Sequence, residues 1–577
     1  MSYSKARKMQ AKAFGTTGAV KQAAGAADMA DCAASENNGM AIQKVPSLGA
    51  VGNAGALGRR GFLKALAFGG VALVGAGTGL TGCAPAKGGG QAQAATIGSS
   101  LPQNWDEECE VLVVGSGYAG LSAAYEAAKA GADTMVIEKM AMTGGNSAIA
   151  DGDFAVCMSS AQAALGIEDS VDKYVADMVA AGLGLNDIEK CRTLASKSNE
   201  TWEWTRDVLG VEWDADESGK VNVIPYGGHN TLRTLHPKLG HGSAIVAPLL
   251  EKLEAEGVKL KTGRMLVRIF RDDSGRVVGV QVNEKAKDND PTTGSPVYIK
   301  AKKAVVLASG GYGRDVAWRS QHDPHLDDSV DCTNQPGATA EALGAAMKAG
   351  ALAVHLDWIQ LGPWCSPDEE GYGKGPSYID ANVAYCPSID PQTGKRVVNE
   401  LADRRIYSNA IIENGVPLIQ IVDERNIPKW NYDANLEPAI EAGITKKFGS
   451  LDEIAAQYQI PADALKETMA RYNGFVEAGV DDDFGKKIPK DAKPVAEPPF
   501  YVTRIWPKVH HTMGGVKTDA NAQVLDIDLK PIPGFYAAGE ATGGVHGACR
   551  LGSCATADCL VNGRIAGQSA ALAEAIA

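Results

Sequence analysis

Residues 109–138 read CEVLVVGSGYAGLSAAYEAAKAGADTMVIE, and this stretch constrains the fold more than any other. Cys109–Val114 is a short apolar run bounded by charge and glycine, the pattern of a parallel strand buried on both faces. Ala119–Gly131 has helical spacing and a glycine to end it. Asp133–Glu138 is a second short apolar strand. The whole is a β-α-β unit, and Gly115, Gly117 and Gly120 at its first turn spell G-x-G-x-x-G. The first glycine allows the tight turn and the second lets backbone approach a pyrophosphate. The third lets helix pack on strand, and the helix N-terminus around Tyr118 and Ala119 faces the anionic group. Glu138 stands 18 residues past Gly120, at the end of the second strand and followed by Lys139. An acid there is placed to accept from a ribose hydroxyl. The sequence predicts a dinucleotide site.

Three further glycine clusters suggest which dinucleotide. TGGNSAIADG holds Gly144, Gly145, Asn146, Ser147 and Gly152; ASGG holds Gly310 and Gly311; AAGEATGG holds Gly539 and Glu540. Several glycine-rich strand ends converging on one ligand imply a long cofactor, so FAD is expected rather than NAD. Beyond residue 105 no second G-x-G-x-x-G with a following acid occurs, so electrons are expected from another protein.

The net charge of −13 is unevenly spread. Residues 1–104 carry 10 Lys/Arg against 3 Asp/Glu, and the remainder carries 46 against 66. An acidic body argues against a nucleic-acid partner. The basic front contains GRRGFLKALAFGGVALVGAGTGLTGC, with Arg59 and Arg60 ahead of a glycine-rich apolar run, the pattern of twin-arginine export. LTGC, ending at Cys83, resembles a lipobox and would anchor the chain in the cell envelope through lipid; cleavage after AQA at Ala92–Ala94 is the competing expectation. Residues before the arginines are long for such a signal, and Met40 would give a more usual start. The expected layout is an export signal over 1–83, a flexible linker over 84–105, a Rossmann-like FAD-binding domain over 106–361 and 506–577, and an α+β clamp domain inserted at 362–505. The fold class is therefore α/β with an inserted cap.

GSGYAGLSAA, TGGNS, TNQPGAT (Thr333–Thr339), GKRVVNELADRR (Gly394–Arg405), VHHTMGGV (Val509–Val516) and PGFYAAGEATGGVHGACRLG (Pro533–Gly552) together resemble the fumarate reductase/urocanate reductase flavoproteins, a family that includes the ketosteroid dehydrogenases. The resemblance implies a reductase that adds hydride from reduced flavin to an activated C=C bond. It implies that Arg404, eight residues after Arg396, is the proton donor. Arg550 would hold the substrate carboxylate, and His510, with His511 beside it, would touch substrate. Arg550 and Gly552 would also border the cofactor. Glu400 and Asp403 are the acids nearest Arg404 in sequence that could resupply its proton. Hydride attack builds negative charge beside the alkene, which fixed cations stabilise.

The sequence departs from the fumarate-specific pattern in IQLGPWCS, where Gly362 replaces a histidine and is followed by Pro363 and Trp364. The Thr-Glu pair that grips the second carboxylate in fumarate-specific members would fall at YID, Tyr378–Asp380, with Ile379 at the threonine position. A pocket lined by Trp364, Tyr378 and Tyr385 is expected to prefer a larger or less polar acceptor: an aryl acrylate, an enone, or a lactone- or steroid-like molecule. Cys549, Cys554 and Cys559 recur every five residues, which rotates them off a single helix face, so they are read as pocket lining rather than metal or cluster ligands. No metal is expected. The sequence has no CxxCH haem motif, which points to a separate haem or membrane cytochrome as electron donor. Running the chemistry backwards as a dehydrogenase or oxidase, or a non-enzymatic electron relay, are the competing functions.

Overall fold

Strand Glu107–Val114 lies inside an eight-stranded sheet, with parallel neighbours on both sides. The computed structural model describes residues 101–576. The twin-arginine segment, Cys83 and residues 84–100 of the expected linker lie outside the described residues. The sheet's main path runs Gln523–Leu525, Pro531–Ala537, Ser295–Leu307, Glu107–Val114, Thr134–Ile137, Lys259–Lys261. Four of its pairings are parallel, as a β-α-β unit requires. Val111, Leu112 and Val113 are fully buried because helices or further strands cover both faces. Strand Ser295–Leu307 is long because its first half also pairs antiparallel with Val277–Glu284. Helix Tyr118–Lys129 and the closing helix Cys554–Leu572 contribute to one core beside the sheet, so the two ends of the described residues share a single core.

A second core is built from residues between Trp364 and Ile505. Its frame is a five-stranded antiparallel sheet in the order Lys395–Arg396, Ser388–Asp390, Leu418–Asp423, Phe500–Ile505, Thr445–Phe448. Helices Arg404–Asn414 and Ala462–Ala478 accompany it. The connection to the first layer is a two-stranded ribbon, Ile359–Gly362 against Lys508–Thr512. This ribbon delivers both Gly362 and the two consecutive histidines.

Candidate active site

Gly115 takes φ +105, and a Cβ there would run into the Ala308 carbonyl. A Cβ on Gly120 would strike the Gly115 carbonyl. Only glycine satisfies both demands, so the first helical turn is drawn tight against the strand. Gly117 gives that helix no side-chain cap, and the Tyr118 amide donates to Ser147 Oγ at 3.0 Å, so its N-terminal turn borders a cavity beside Ser147. Gly115, Gly117, Tyr118, Ala119, Glu138, Lys139, Gly145, Asn146, Ser147, Gly310 and Glu540 all line this part. The Glu138 carboxylate accepts from the Ser116 amide at 3.1 Å, the Ser116 hydroxyl at 2.6 Å and the Met140 amide at 2.8 Å. Lys139 pairs with Glu341 on the wall. A helix N-terminus, a glycine cradle and an acid at the end of the second strand fit FAD.

Gly120, Gly144, Gly152, Gly311, Gly539 and Gly552 stand off this wall and act through close packing. A Cβ on Gly144 would press on Ala148, on Gly152 on Pro237, on Gly539 on Ala119, and on Gly552 on the Tyr226 ring. One on Gly311 would meet Glu540 and Thr512.

The cavity continues into a second part that shares Tyr118, Asn146, Ser147, Glu540 and Cys559 with the first. Its other walls include His510, His511, Arg550, Thr333, Asn334 and Tyr372. Neighbouring strand residues normally face opposite sides, yet both histidines line the cavity. Gln360 pairs with His511 and Leu361 with Val509, so His510 is the extra residue of a β-bulge that re-aims it. The Thr333 hydroxyl shares a 2.8 Å hydrogen bond with His510 Nδ1, and Asn334 Nδ2 donates to the His510 carbonyl at 2.8 Å. TNQPGAT therefore serves to fix the bulge. Burial and then the Arg404 and Arg550 charges hold His510 well below the usual imidazole range. Burial and Arg550 do the same to His511, so both rings are neutral at pH 7.

Arg550 is 3% exposed. It donates to the Leu551 carbonyl at 2.9 Å, while its Nε is buried without a partner. Burial, then the nearby Arg404, push its guanidinium down to about 9. Arg404 opens helix Arg404–Asn414, whose N-cap is Asp403. Its guanidinium lies 4.7 Å over the Trp364 ring, and Trp364 packs edge-on to His510 at 4.7 Å. Arg404 Nη2 meets Asp380 at 3.4 Å, and Nη1 is buried without a partner. The side chain is set back from the cavity wall, within electrostatic reach of His510, His511 and Arg550. Two buried, underpaired guanidinium groups near each other suit an anionic ligand.

The acid beside Arg404 is neither of the two expected from sequence. Glu400 accepts from Arg396 at 2.9 and 2.7 Å and from the Ser388 amide, with Lys486 at 3.4 Å. Asp403 caps its helix at the Ile406 amide, 3.0 Å away. Asp380, from helix Gly375–Asn382, is the acid that meets Arg404 instead. Burial raises it to about 7 even though Arg404 pulls the other way.

The aromatic lining also differs from expectation. Tyr378 belongs to the second core, and neither it nor Tyr385 is on the cavity wall, whereas Tyr372 is. Gly362 has a clear reason: a Cβ there would sit 3.1 Å from the Trp364 indole. The loss of a side chain at 362 makes room for the ring that carries Arg404. Ile379 is fully buried in the second core.

The three cysteines go to three different neighbours. Gln360 Nε2 donates to Cys549 at 3.1 Å, Cys554 meets the Tyr174 hydroxyl at 3.1 Å, and Cys559 lines both parts of the cavity. All are free thiols, and burial raises each well above the ordinary thiol value.

Residues 110–556 match the FAD binding domain family. The acrylate reductase flavoprotein subunit of Shewanella woodyi is 38% identical over 525 residues, covering 88% of this chain and 97% of that one. The chain belongs to this family of FAD-dependent C=C oxidoreductases. The urocanate reductase of Eggerthella lenta is 33% identical, covering 82% of this chain and 76% of that one. Among solved structures, the open conformation of a flavocytochrome c3 fumarate reductase matches with TM-score 0.61 at 31% identity, covering 81% of this chain and 78% of that one. A 3-ketosteroid dehydrogenase from Rhodococcus jostii shares the fold, with TM-score 0.60 at 24% identity, covering 82% of this chain and 99% of that one.

Proposed function

We propose that this protein reduces the C=C bond of an α,β-unsaturated monocarboxylate, with Arg404 as proton donor and Arg550 as the carboxylate grip. The observation that carries this reading is the buried, underpaired Arg550 beside neutral His510 and His511 on the wall of a cavity continuous with the FAD cradle, with the underpaired Arg404 set behind that wall. Reduced FAD supplies the hydride. Arg550 and the histidine N–H groups neutralise the charge that builds on the carboxylate side as hydride arrives. Arg404 places a proton on the other alkene carbon, and Asp380 returns one to it. An arginine is a poor acid in water. Here it is buried, faces the Arg550 cation, and has a protonatable carboxyl at 3.4 Å.

A monocarboxylate is favoured over a dicarboxylate because the residues expected to grip a second carboxylate are absent. Gly362 has no side chain, Trp364 occupies that space, and Ile379 is buried apolar. The similarity to a named acrylate reductase flavoprotein subunit supports the same choice. That relative is named as a subunit, and this sequence has neither a CxxCH motif nor a second dinucleotide fingerprint beyond residue 105. Electrons are therefore assigned to a separate donor protein, a haem or membrane cytochrome. The twin arginines Arg59 and Arg60 support export to the cell envelope, with Cys83 as the candidate lipid anchor.

The test is an anaerobic acceptor screen on dithionite-reduced protein, following flavin absorbance. Acrylate and aryl acrylates should reoxidise the flavin at least about tenfold faster than fumarate, a difference of roughly 1.4 kcal/mol. Equal or faster reoxidation by fumarate would overturn the monocarboxylate assignment. Reduction of the oxidised protein by a saturated ketosteroid would place the chemistry in the dehydrogenase direction.

A further inference from the structure

Three carboxylic acids, Asp151, Asp153 and Asp380, gather at the seam between the two layers, and the reaction as derived uses only Asp380. Asp151 and Asp153 come from the loop after the second glycine cluster. Asp380, Ser377 and Tyr372 come from the other layer. The Ser377 hydroxyl donates to Asp151 Oδ1 at 2.5 Å, and the Tyr372 hydroxyl donates to the same oxygen at 3.1 Å. Ser377 and Asp380 are three apart on helix Gly375–Asn382, so Asp151 packs on the helix face that carries Asp380. Tyr226 donates to Asp153 and lies within electrostatic reach of all three acids. His236 Nδ1 meets Asp153 Oδ1 at 2.5 Å, and its ring stacks on Trp430 at 3.8 Å. Its Nε2 is buried with no partner.

The exposures form a gradient. Asp151, Tyr372 and Ser377 are half-buried, while Asp153, His236 and Asp380 are buried. Each reduction removes one proton from Arg404, and Asp380 beside it is buried.

We propose that Asp151 is the proton inlet of this enzyme: it passes protons from solvent to Asp380, with the Asp153–His236 pair as the reserve behind it. The inference rests on Arg404 being the proton donor. The balance is simple. Arg404 loses a proton to the product carbon, Asp380 loses one to Arg404, Asp151 loses one to Asp380, and solvent restores Asp151. No electrons move along this route.

Other groups facing Asp151 fit the role. Burial, and then the Asp153 charge, raise Asp151 to about 6, with His236, Ser377 and Tyr372 pulling the other way. Burial alone would lower His236, but the Asp153 carboxylate outweighs it and raises it. Arg404 and Arg550 act on Asp380 from the far side. Both carriers can therefore hold a proton near neutral pH. Because Asp151 and Asp380 sit on different layers, the route exists only when the layers are packed together.

The test compares Asp151→Asn, Asp151→Glu and Arg404→Ala in the FAD-loaded protein, with FAD content and flavin spectrum checked in each. Asp151→Asn keeps an acceptor for Ser377 and Tyr372 but carries no proton. Its multiple-turnover alkene reduction under excess dithionite should slow about tenfold or more, with a larger solvent isotope effect and loss of the rate decline near pH 6. Asp151→Glu should restore rate and pH profile. Wild-type rate, isotope effect and pH profile in Asp151→Asn would overturn the inlet while leaving Arg404 untouched. Full activity of Arg404→Ala would instead remove the donor assignment itself. A slow Asp151→Glu with the spectrum and isotope effect of wild type would mark Asp151 as a packing residue and also overturn the inlet.

Discussion

Arg396 and Arg404 lie eight residues apart in one motif, and both are buried, yet the protein treats them in opposite ways. Arg396 is saturated. Glu400 and Asp481 each take two of its N–H groups, at 2.7 to 3.2 Å, and those partners raise its guanidinium value against the cost of burial. Arg404 has one long contact to Asp380 and an Nη1 with no partner. Arg550 shares the second condition, with its Nε unpaired. A fully paired buried arginine is fixed as part of the scaffold. An underpaired one retains unused donors at a defined place, which is what binding an anion or moving a proton requires.

The contrast can be broken first on its scaffold side. Arg396→Met leaves Asp481 buried without its cation and Glu400 with Lys486 alone, and should lower unfolding stability by about 3–5 kcal/mol in denaturant titration. Unchanged stability would mean that pairing does not distinguish the two arginines. On the site side, Arg550→Ala should leave the unfolding midpoint close to wild type and weaken binding of an unsaturated carboxylate about 100-fold, read from substrate dependence of flavin reoxidation. A large stability loss with unchanged affinity would reverse the assignment.

The pH dependence sharpens the same point. Since burial and Arg404 lower Arg550 to about 9, its cation is lost as pH rises through that value. KM for a carboxylate acceptor should therefore climb above pH 9 by up to about tenfold per pH unit, while KM stays flat between pH 7 and 8. The smallest effect is expected at the ribbon. Gly362→Ala puts a methyl group 3.1 Å from the Trp364 ring and should shift Trp364 and Arg404 slightly, at about 1 kcal/mol in turnover or stability. Complete tolerance of larger residues at 362 would show that Trp364 is not held in place there.

What the sequence made legible was local. The glycine fingerprint and Glu138 are separated by a single helix, so spacing alone placed them on one cradle. Arg550, His510 and His511 stood in motifs that a resemblance could carry over. The partner of Arg404 was not legible, because Asp380 lies 24 residues earlier on a different helix, while nearer acids had other obligations. Glu400 was drawn to Arg396, and Asp403 to a helix cap. Tyr378 and Tyr385 looked like lining because aromatic identity is visible in sequence and helix phase is not; Tyr372 lines the cavity instead. The bulge that turns both histidines inward depends on a register shift against Gln360 and Leu361, which no single strand records.

The most direct measurement is single-turnover reoxidation of the dithionite-reduced protein by an acrylate-type acid, comparing wild type with Arg404→Ala and Arg404→Lys. The account predicts normal FAD content in all three, rapid reoxidation in wild type, and a loss of at least about 100-fold in both variants. Reoxidation of Arg404→Ala at the wild-type rate would contradict it.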